Sequence, residues 1–230
     1  MNKDSPLTDA VIPAAGIGRR MGSDIPKQYL KIGGATMLER TVSVFVRNPR
    51  IRRVIVALAP GDPYFAKLPL ASDPRISVCE GGAERADTVL RALALAQGPY
   101  ALVHDAARPL LCDEDLNALL DAGLSCDDGA LLAVPMADTV KRGEGGRCQG
   151  TVPRAGLWRA LTPQMAPLKT LIEALKAAGS AVTDESSALE RLGLHPLLVE
   201  CRHPNFKVTA PADLVLARSL ICAGEKQCSE

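Results

Sequence analysis

The sequence predicts one α/β domain over residues 1–230, built on a doubly wound, mostly parallel sheet with a protruding β-hairpin arm at 138–154. Short apolar runs alternate with stretches of helical spacing, which is typical of βαβ units with right-handed crossovers. The run Val54–Ala59 is continuously apolar and begins with three β-branched residues, as in a strand covered on both faces. One polar, glycine-rich segment interrupts this alternation.

The strands are predicted from short apolar runs that end at turn residues or at small polar groups. In an open parallel sheet the ligand crevice lies beyond the carboxyl ends of such strands. The predicted strands are Ala10–Ala14, Val54–Ala59, Ile76–Cys79, Tyr100–His104, Ala130–Val134, Pro196–Glu200 and Phe206–Val208.

The helices are predicted where apolar residues recur every three or four positions. In the first of them Met37, Leu38, Thr41 and Phe45 fall on one side. The predicted helices are Thr36–Val46, Glu84–Ala96, Glu114–Ala122, Leu168–Ala177, Asp184–Leu192 and Ala212–Leu220.

The interrupting segment predicts a β-hairpin, with polar strands Asp138–Arg142 and Cys148–Arg154 around three glycines. A two-stranded hairpin is marginal in water by itself, so we expect it to lean on another subunit. A floppy surface loop is the alternative. Trp158, just beyond, is expected to pack beneath the hairpin.

Composition excludes several classes of protein. The hydrophobic share is 47% and the charged share 23%, which is ordinary for a globular protein. The net charge of +1 and an aromatic share of 3% disfavour a nucleic-acid-coating surface. The polar start Met1–Asp9 does not have the pattern of a signal peptide, and no apolar run approaches the roughly 20 residues that span a bilayer. We expect neither a nucleic-acid nor a membrane partner.

The cysteines indicate a reducing, cytoplasmic setting. There are seven, an odd number, without any C-x-x-C pair. Neither the cysteines nor the three histidines show the spacing of a zinc site, so no metal ligand is assigned from the sequence.

The strongest local signal is a small-residue turn followed by cations, between Pro13 and Lys27. Small residues let the backbone approach a ligand, and successive N–H groups can form an anion-binding concavity. A triphosphate needs such cations, whereas a plain βα turn with solvated arginines is the alternative. The turn comprises Ala14, Ala15, Gly16 and Gly18, and the cations are Arg19, Arg20 and Lys27.

Two familiar phosphate motifs fail at this turn. A dinucleotide fingerprint requires glycine three residues after Gly18, and a P-loop requires glycine five residues after Gly16. Both positions are Met21. A mononucleotide site of another type remains.

The motifs taken together resemble the cytidylyltransferase family of the methylerythritol phosphate isoprenoid pathway. The resemblance covers about residues 9–220 in the family's order. It rests on 13–21 with 26–29, 81–85, 104–109, 138–141, 151–154, 161–164, 183–185 and 205–209.

This resemblance implies a Rossmann-like nucleotidyltransferase fold and transfer of CMP from CTP to 2-C-methyl-D-erythritol 4-phosphate, with release of pyrophosphate. The acceptor's own phosphate oxygen attacks the α-phosphorus, and a phosphate monoester is already largely ionised near neutral pH because its second pKa is about 6. Neither a protein nucleophile nor a general base is required. Mg²⁺ is implied as a cofactor bound mainly through the CTP phosphates.

The resemblance also implies roles for individual residues. Thr88 departs from the family, which often has serine there. For Gly81-Gly82 the alternative is a plain loop, and for Asp105 it is a helix-cap or turn residue. The implied catalytic residues are Arg20, Lys27, Arg154 and Lys207. Nucleotide binding falls to Pro13, Ala14, Ala15, Gly16, Gly18, Arg19, Gly81, Gly82 and Thr88, and acceptor binding to Asp105, Ala106, Arg108, Thr139, Arg154, Thr183 and Lys207.

The resemblance further implies a homodimer in which the arm carries Arg154 into the neighbouring subunit's site. Two other functions are open at this point. One is a cytidylyltransferase for another polyol phosphate, such as ribitol 5-phosphate. The other is a non-catalytic nucleotide-binding regulator, which the presence of Arg20, Lys27 and Lys207 disfavours.

Overall fold

The computed structural model describes residues 8–16, 25–179 and 182–227. Its strands are short, apart from one of ten residues near the middle of the chain. They are β1 (Thr8–Ala14), β2 (Lys31–Ile32), β3 (Ala35–Thr36), β4 (Ile51–Leu58), β5 (Ile76–Glu80), β6 (Tyr100–Val103), β7 (Ala130–Pro135), β8 (Val140–Glu144), β9 (Arg147–Val152), β10 (Trp158–Pro167) and β11 (Leu197–Glu200).

The α-helices follow the predicted stretches closely. The first begins where Thr36 caps it, since the Thr36 hydroxyl accepts from Glu39 N–H and the Glu39 carboxylate accepts from Thr36 N–H. The helices are α1 (Met37–Arg47), α2 (Arg85–Leu93), α3 (Asp113–Gly123), α4 (Leu168–Ala178), α5 (Glu185–Arg191) and α6 (Pro211–Gln227).

Seven strands form the central sheet, in the order β11-β7-β10-β6-β1-β4-β5. β1 pairs in parallel with β4 and β6, β4 with β5, and β11 with β7. β10 runs antiparallel between β6 and β7. This sheet, flanked by helices, confirms the predicted α/β class and its mostly parallel sheet.

Two apolar layers cover the two faces of the sheet. Ala10 and Ile12 point to the layer that contains α1 and α3, whereas Val11 points to the layer of α2, α4 and α5. This alternation follows from the period of two along a strand. It explains why β1 from Ala10 and β4 from Val54 are apolar at every position, because both of their faces are buried there.

A third, smaller cluster joins α6 to the start of α1. Ile32, Met37, Val208 and Ala217 are buried in it together with Ala107. The segment between β11 and α6, which contains Lys207, is therefore fixed against the residues that follow β6.

The hairpin is present as predicted. β8 and β9 form a separate two-stranded sheet, and nearly all of their residues are exposed. Its polar composition explains the exposure, because the hairpin has little apolar surface to pack against the core.

The second half of the chain differs from the expectations at three points. Phe206–Val208 is not a strand, because its backbone binds the loop after β6 through Val208 N–H and Ala107 O, 2.8 Å apart. β10 was not predicted, because prolines obscure it; Pro163 lies where its register with β7 shifts. Trp158 begins this strand opposite Pro135 and is 36% exposed, so it is less packed than expected.

None of the helices in the described ranges is long and apolar enough to cross a bilayer.

Candidate active site

A cleft of about 320 Å³ opens where the parallel strands β1, β5 and β6 end. Five chain segments meet there: the turn after β1, the residues Lys27-Gln28, the loop from β5 into α2, the loop after β6, and the segment that contains Lys207. The lining residues are Pro13, Ala14, Ala15, Gly16, Lys27, Gln28, Gly82, Ala83, Glu84, Arg85, Thr88, Asp105, Ala106, Ala107 and Lys207.

The turn after β1 is held by the short 3₁₀ helix Lys27–Tyr29. The buried Gln28 amide donates to Ala14 O over 2.7 Å, which fixes the end of the strand. Lys27 Nζ donates to Val208 O over 3.0 Å. The lysine therefore lies between the turn and the Lys207 segment, with its ammonium at the cleft.

The opposite wall depends on glycine at two positions. A Cβ at Gly81 would lie 2.5 Å from Ala15 Cβ, and one at Gly82 would lie 2.4 Å from Asp87 Cβ. Gly82 N–H donates to Thr88 Oγ1 over 3.0 Å, and that hydroxyl donates to Glu84 O over 2.9 Å. Backbone groups thus come close to the cleft, and the Thr88 hydroxyl holds the loop in place.

Asp105 is the centre of a charged cluster on the floor of the cleft. Its carboxylate lies 3.0 Å from Lys207 Nζ, 3.4 Å from Arg85 Nη2 and 3.4 Å from Arg108 Nε. Burial alone would raise the pKa of Asp105, but Arg85, Lys207 and Arg108 outweigh it and hold that pKa far below its usual range. The carboxylate is therefore charged at any physiological pH.

Arg85 connects this cluster to a second buried carboxylate. Its guanidinium binds both Glu185 oxygens, at 2.7 and 3.1 Å, and the Glu185 side chain is 1% exposed. Burial opposes charge on Arg85, but Glu185 and then Asp105 raise its pKa above the ordinary value. The planar, two-pronged contact fixes the guanidinium at the cleft wall.

The backbone of Asp105 is positioned by a neutral histidine. Asp105 N–H donates to Thr162 Oγ1 over 3.1 Å, and the same hydroxyl lies 3.0 Å from His104 Nδ1. His104 Nε2 lies 3.1 Å from Arg108 O, so Nε2 carries the proton and Nδ1 accepts from Thr162. Burial lowers the pKa of His104 to about 4, which keeps the ring uncharged.

Hydrogen bonds also fix the segment that contains Lys207. Asn205 Nδ2 donates to Thr162 O over 2.8 Å, and Arg108 Nη1 donates to Asn205 O over 2.7 Å. One residue beyond Lys207, Val208 N–H donates to Ala107 O. The lysine is thus held from both sides while its own side chain stays 40% exposed.

The structure brings most of the sequence-predicted residues to one place. Gly18, Arg19 and Arg20 lie outside the described residues. Gly81 stands directly behind the wall, and Arg108 pairs with Asp105 from below. The predicted residues that line the cleft are Pro13, Ala14, Ala15, Gly16, Lys27, Gly82, Thr88, Asp105, Ala106 and Lys207.

Three predicted acceptor residues lie elsewhere. Within the described ranges the cleft wall does not include Thr139, Arg154 or Thr183, and all three are exposed. Arg154 follows the hairpin and donates from Nη1 to Ala137 O at the hairpin's base. A single chain therefore does not bring Arg154 to its own cleft.

Sequence reasoning missed Arg85, Gln28 and Glu185 as parts of this site. Arg85 was noted within a motif but not assigned a role, although a cation in the first turn of α2 opposes the helix dipole and needs a compensating partner. Gln28 and Glu185 lie within the motif ranges 26–29 and 183–185, but neither is assigned a role. Both are buried, and no pattern in the sequence indicates that burial.

The arrangement suits a polyanionic ligand that is recognised largely by backbone groups. Two lysines and Arg85 face the cleft, and small residues form the turn and the opposite wall. Near the described cleft no serine or cysteine is paired with a histidine as a nucleophile would be; His104 binds the Thr162 hydroxyl and a carbonyl instead. The cleft can position and neutralise charged reactants.

Comparisons with known proteins agree with this geometry. Residues 8–222 match the sequence profile of the 2-C-methyl-D-erythritol 4-phosphate cytidylyltransferases. Proteins of that name from Salmonella paratyphi B and Salmonella typhimurium are each 52% identical over 214 residues, covering 90% of this chain and 91% of theirs.

Solved structures show the same likeness. A crystal structure of a 4-diphosphocytidyl-2C-methyl-D-erythritol synthase is 39% identical, with a TM-score of 0.82 over 93% of this chain and 98% of that one. The Thermus thermophilus 2-C-methyl-D-erythritol 4-phosphate cytidylyltransferase is 33% identical, with a TM-score of 0.78 over 92% and 97% of the two chains. The fold is thus the Rossmann-like nucleotidyltransferase fold, and this chain belongs to the 2-C-methyl-D-erythritol 4-phosphate cytidylyltransferase family.

Proposed function

We propose that this chain transfers CMP from CTP to 2-C-methyl-D-erythritol 4-phosphate, giving 4-diphosphocytidyl-2-C-methyl-D-erythritol and pyrophosphate. The observation that carries the proposal is the cleft that Lys27, Lys207 and Asp105 line together with Gly16 and Gly82. Membership of the cytidylyltransferase family supports the same reaction and the isoprenoid pathway.

The nucleotide is proposed to bind between the turn after β1 and the Gly81–Thr88 wall. Backbone groups at Ala14-Ala15 and at Gly81-Gly82 would recognise the base. A Cβ at Gly81 would collide with Ala15 and one at Gly82 with Asp87, so the wall keeps this shape only with glycine at both positions. Lys27, at the cleft beside the turn after β1, would contact the phosphates. Arg20, with Gly18 and Arg19, would complete the phosphate site.

The acceptor phosphate is proposed to bind at Lys207. Its ammonium is held 3.0 Å from Asp105 but is still 40% exposed, so an entering phosphate can share it. Asp105 would orient the acceptor's hydroxyl groups and is itself kept in place by Arg108. Ala106 would form part of the acceptor wall, and Thr139, Arg154 and Thr183 would complete the site.

Chemistry in such a site needs positioning and charge stabilisation more than proton transfer. The acceptor phosphate attacks the α-phosphorus in line, the new P–O bond forms as the bond to pyrophosphate breaks, and negative charge is spread over crowded oxygens. Lys27, Lys207 and Arg20 would stabilise that charge. The acceptor brings its own ionised oxygen, so the reaction needs no general base from the cleft wall.

The metal is proposed to be Mg²⁺. The described cleft offers two carboxylates, Asp105 and Glu84, and Asp105 is already paired with three cations. That donor set fits an ion which enters on the triphosphate and keeps several of its waters. When bound, it would neutralise part of the phosphate charge.

We further propose one domain over 1–230 and a homodimer in which the arm, 138–154, is exchanged. An exposed hairpin that pairs only with itself within the described chain supports this, as does the distance of Arg154 from its own cleft. A cytoplasmic location is also proposed. Its support is that the cysteines within the described ranges are all free thiols.

The test of the reaction is pyrophosphate release against a matrix of nucleotides and acceptors. With Mg²⁺, we expect turnover with CTP and 2-C-methyl-D-erythritol 4-phosphate and little with ATP, GTP or UTP. Ribitol 5-phosphate is the matched rival acceptor. Equal or faster turnover with ribitol 5-phosphate would reject the proposed acceptor, and no turnover with any acceptor would reject the enzyme class in favour of a nucleotide-binding regulator.

A further inference from the structure

A group of metal-ligating side chains lies away from the cleft, at the start of α3. Cys112 precedes the helix, Asp115 lies in its first turn, and His203 comes from the turn after β11. One ligand atom from each of these three residues lies within 4.8 Å of the other two. His203 lies about 90 residues after Cys112 and Asp115, which is why spacing in the sequence did not reveal the group.

A tetrahedral zinc ion has bonds of about 2.3 Å to sulfur and 2.0–2.2 Å to nitrogen or oxygen, so its ligand atoms lie roughly 3.3–3.8 Å apart. Asp115 Oδ2 lies 3.2 Å from His203 Nδ1, and the ligand atoms of Cys112, Asp115 and His203 all lie within 4.8 Å of one another. These separations need only small side-chain rotations to reach the tetrahedral range. A second thiol, the buried Cys201, lies beside the group with its Sγ 3.3 Å from Asp115 Oδ2.

We propose that Cys112, His203 and Asp115 form a site for a thiophilic divalent cation of the zinc class, with water in the fourth position. Thiolate, imidazole and carboxylate are all ligands that zinc accepts. The cation would displace the Cys112 thiol proton and any proton on His203 Nδ1. Asp115 would keep the N–H donors of Arg202 and His203, at 3.1 and 3.2 Å, as the contacts that orient it.

A cation would be favourable there because it would partly neutralise a buried carboxylate, since Asp115 is only 3% exposed. An ion at this point would tie the 201–203 turn to α3, four residues before Lys207, and would stabilise the segment that holds the lysine.

The experiment uses the untagged full chain, freed of metal, without nucleotide. Co²⁺ is titrated as the spectroscopic probe, because thiolate coordination gives a charge-transfer band in the near ultraviolet and tetrahedral geometry gives strong visible bands. We expect both bands in the wild type, and their displacement by Zn²⁺. Cys112→Ser should lose the ultraviolet band, and His203→Gln should bind Co²⁺ at least roughly tenfold more weakly.

Matched controls are Cys148→Ser and His195→Gln, which alter an exposed thiol on β9 and an exposed imidazole elsewhere; both should give wild-type spectra. Zn²⁺ should raise the melting temperature of the wild type and of these controls, and the rise should grow with the Zn²⁺ concentration. It should not raise the melting temperature of His203→Gln. Asp115 is left unchanged because it also holds the turn. Absence of the thiolate band in the wild type, or a band that survives in both Cys112→Ser and His203→Gln, would overturn the site.

Discussion

Lys207 Nζ lies 3.0 Å from Asp105 Oδ2, and the same carboxylate also pairs with Arg85 and Arg108. Arg85 in turn binds Glu185, so three cations face two carboxylates and one positive charge remains. That surplus lies beside an open cleft, on a lysine whose backbone is fixed on both sides. This arrangement suits the binding of an anion at Lys207.

The first prediction concerns that lysine. Lys207→Met keeps the length of the side chain and removes its charge, so kcat/KM for the acceptor should fall by about 10²–10³, as when one preorganised charge stabiliser is lost. The KM for CTP should change little. Steady-state kinetics with each substrate varied in turn measures both effects.

The matched control is Lys176→Met, which removes a lysine from the exposed face of α4 and should leave the kinetics unchanged. Circular dichroism of both variants checks that the fold is intact. A Lys207→Met enzyme with normal acceptor kinetics would make the lysine a partner of Asp105 only.

The second prediction concerns the buried pair of Arg85 and Glu185. Arg85→Met leaves the Glu185 carboxylate buried without a partner and should destabilise the fold by about 3–5 kcal/mol. Arg85→Met combined with Glu185→Met removes both charges and should recover much of that loss. Urea unfolding measures the free energies, with Lys169→Met as the exposed control. A double variant no more stable than Arg85→Met would contradict the pairing as the cause.

The third prediction concerns pH. The folded pKa of His104 is about 4, below the usual value near 6.5 for an unfolded chain, so between these values the unfolded state binds more protons. Stability should therefore fall as pH drops from about 6.5 toward 4, by up to roughly 3 kcal/mol from this group. His104→Gln should flatten that slope, whereas His195→Gln should not. The measurement is the unfolding midpoint of each protein at several pH values in this range. Equal slopes of stability against pH in the wild type, His104→Gln and His195→Gln would exclude His104 as the cause.

The fourth prediction tests arm exchange. Lys27→Ala and Arg154→Ala should each be nearly inactive, yet a heterodimer of the two should recover close to half of the wild-type activity. One of its sites inherits both defects, while the other takes Lys27 from one chain and Arg154 from its partner. Differently tagged chains, co-expressed and purified over both tags, supply the heterodimer.

The control for this mixing is a heterodimer of Lys27→Ala with Lys207→Ala, two residues that line the same cleft of one chain. It should stay inactive, because each site carries a defect. A verified Lys27/Arg154 heterodimer without recovery would leave Arg154 outside the partner's site.

The sequence allowed prediction of the sheet where burial on both faces made the pattern simple. β1 and β4 are nearly continuous apolar runs, and the predicted strands overlap both. The sequence does not predict β10, although this strand pairs with a neighbour on both sides. Its start is exposed and it contains two prolines, so it lacks the pattern of a central strand. The segment around Lys207 was wrongly predicted as a strand, because Phe206 and Val208 have strand-forming side chains. They pack against a loop and α6 instead.

The site was predictable to the extent that its motifs are local. The turn after β1, Gly82, Thr88, Asp105 and Lys207 meet at one cleft as expected. The Arg85–Glu185 pair joins residues 100 positions apart, and the Cys112–His203 cluster joins two turns on different elements. Neither can be derived from spacing, because only the packing of the sheet and its helices brings those residues together.

The most direct test of the central claim is ³¹P NMR of one reaction mixture that contains the enzyme, Mg²⁺, CTP and 2-C-methyl-D-erythritol 4-phosphate. If the acceptor phosphate attacks the α-phosphorus, the monoester signal should disappear as pyrophosphate and two mutually coupled diphosphate signals appear in equal amounts. Formation of CMP and pyrophosphate without that coupled pair, or an unchanged monoester signal, would contradict the account.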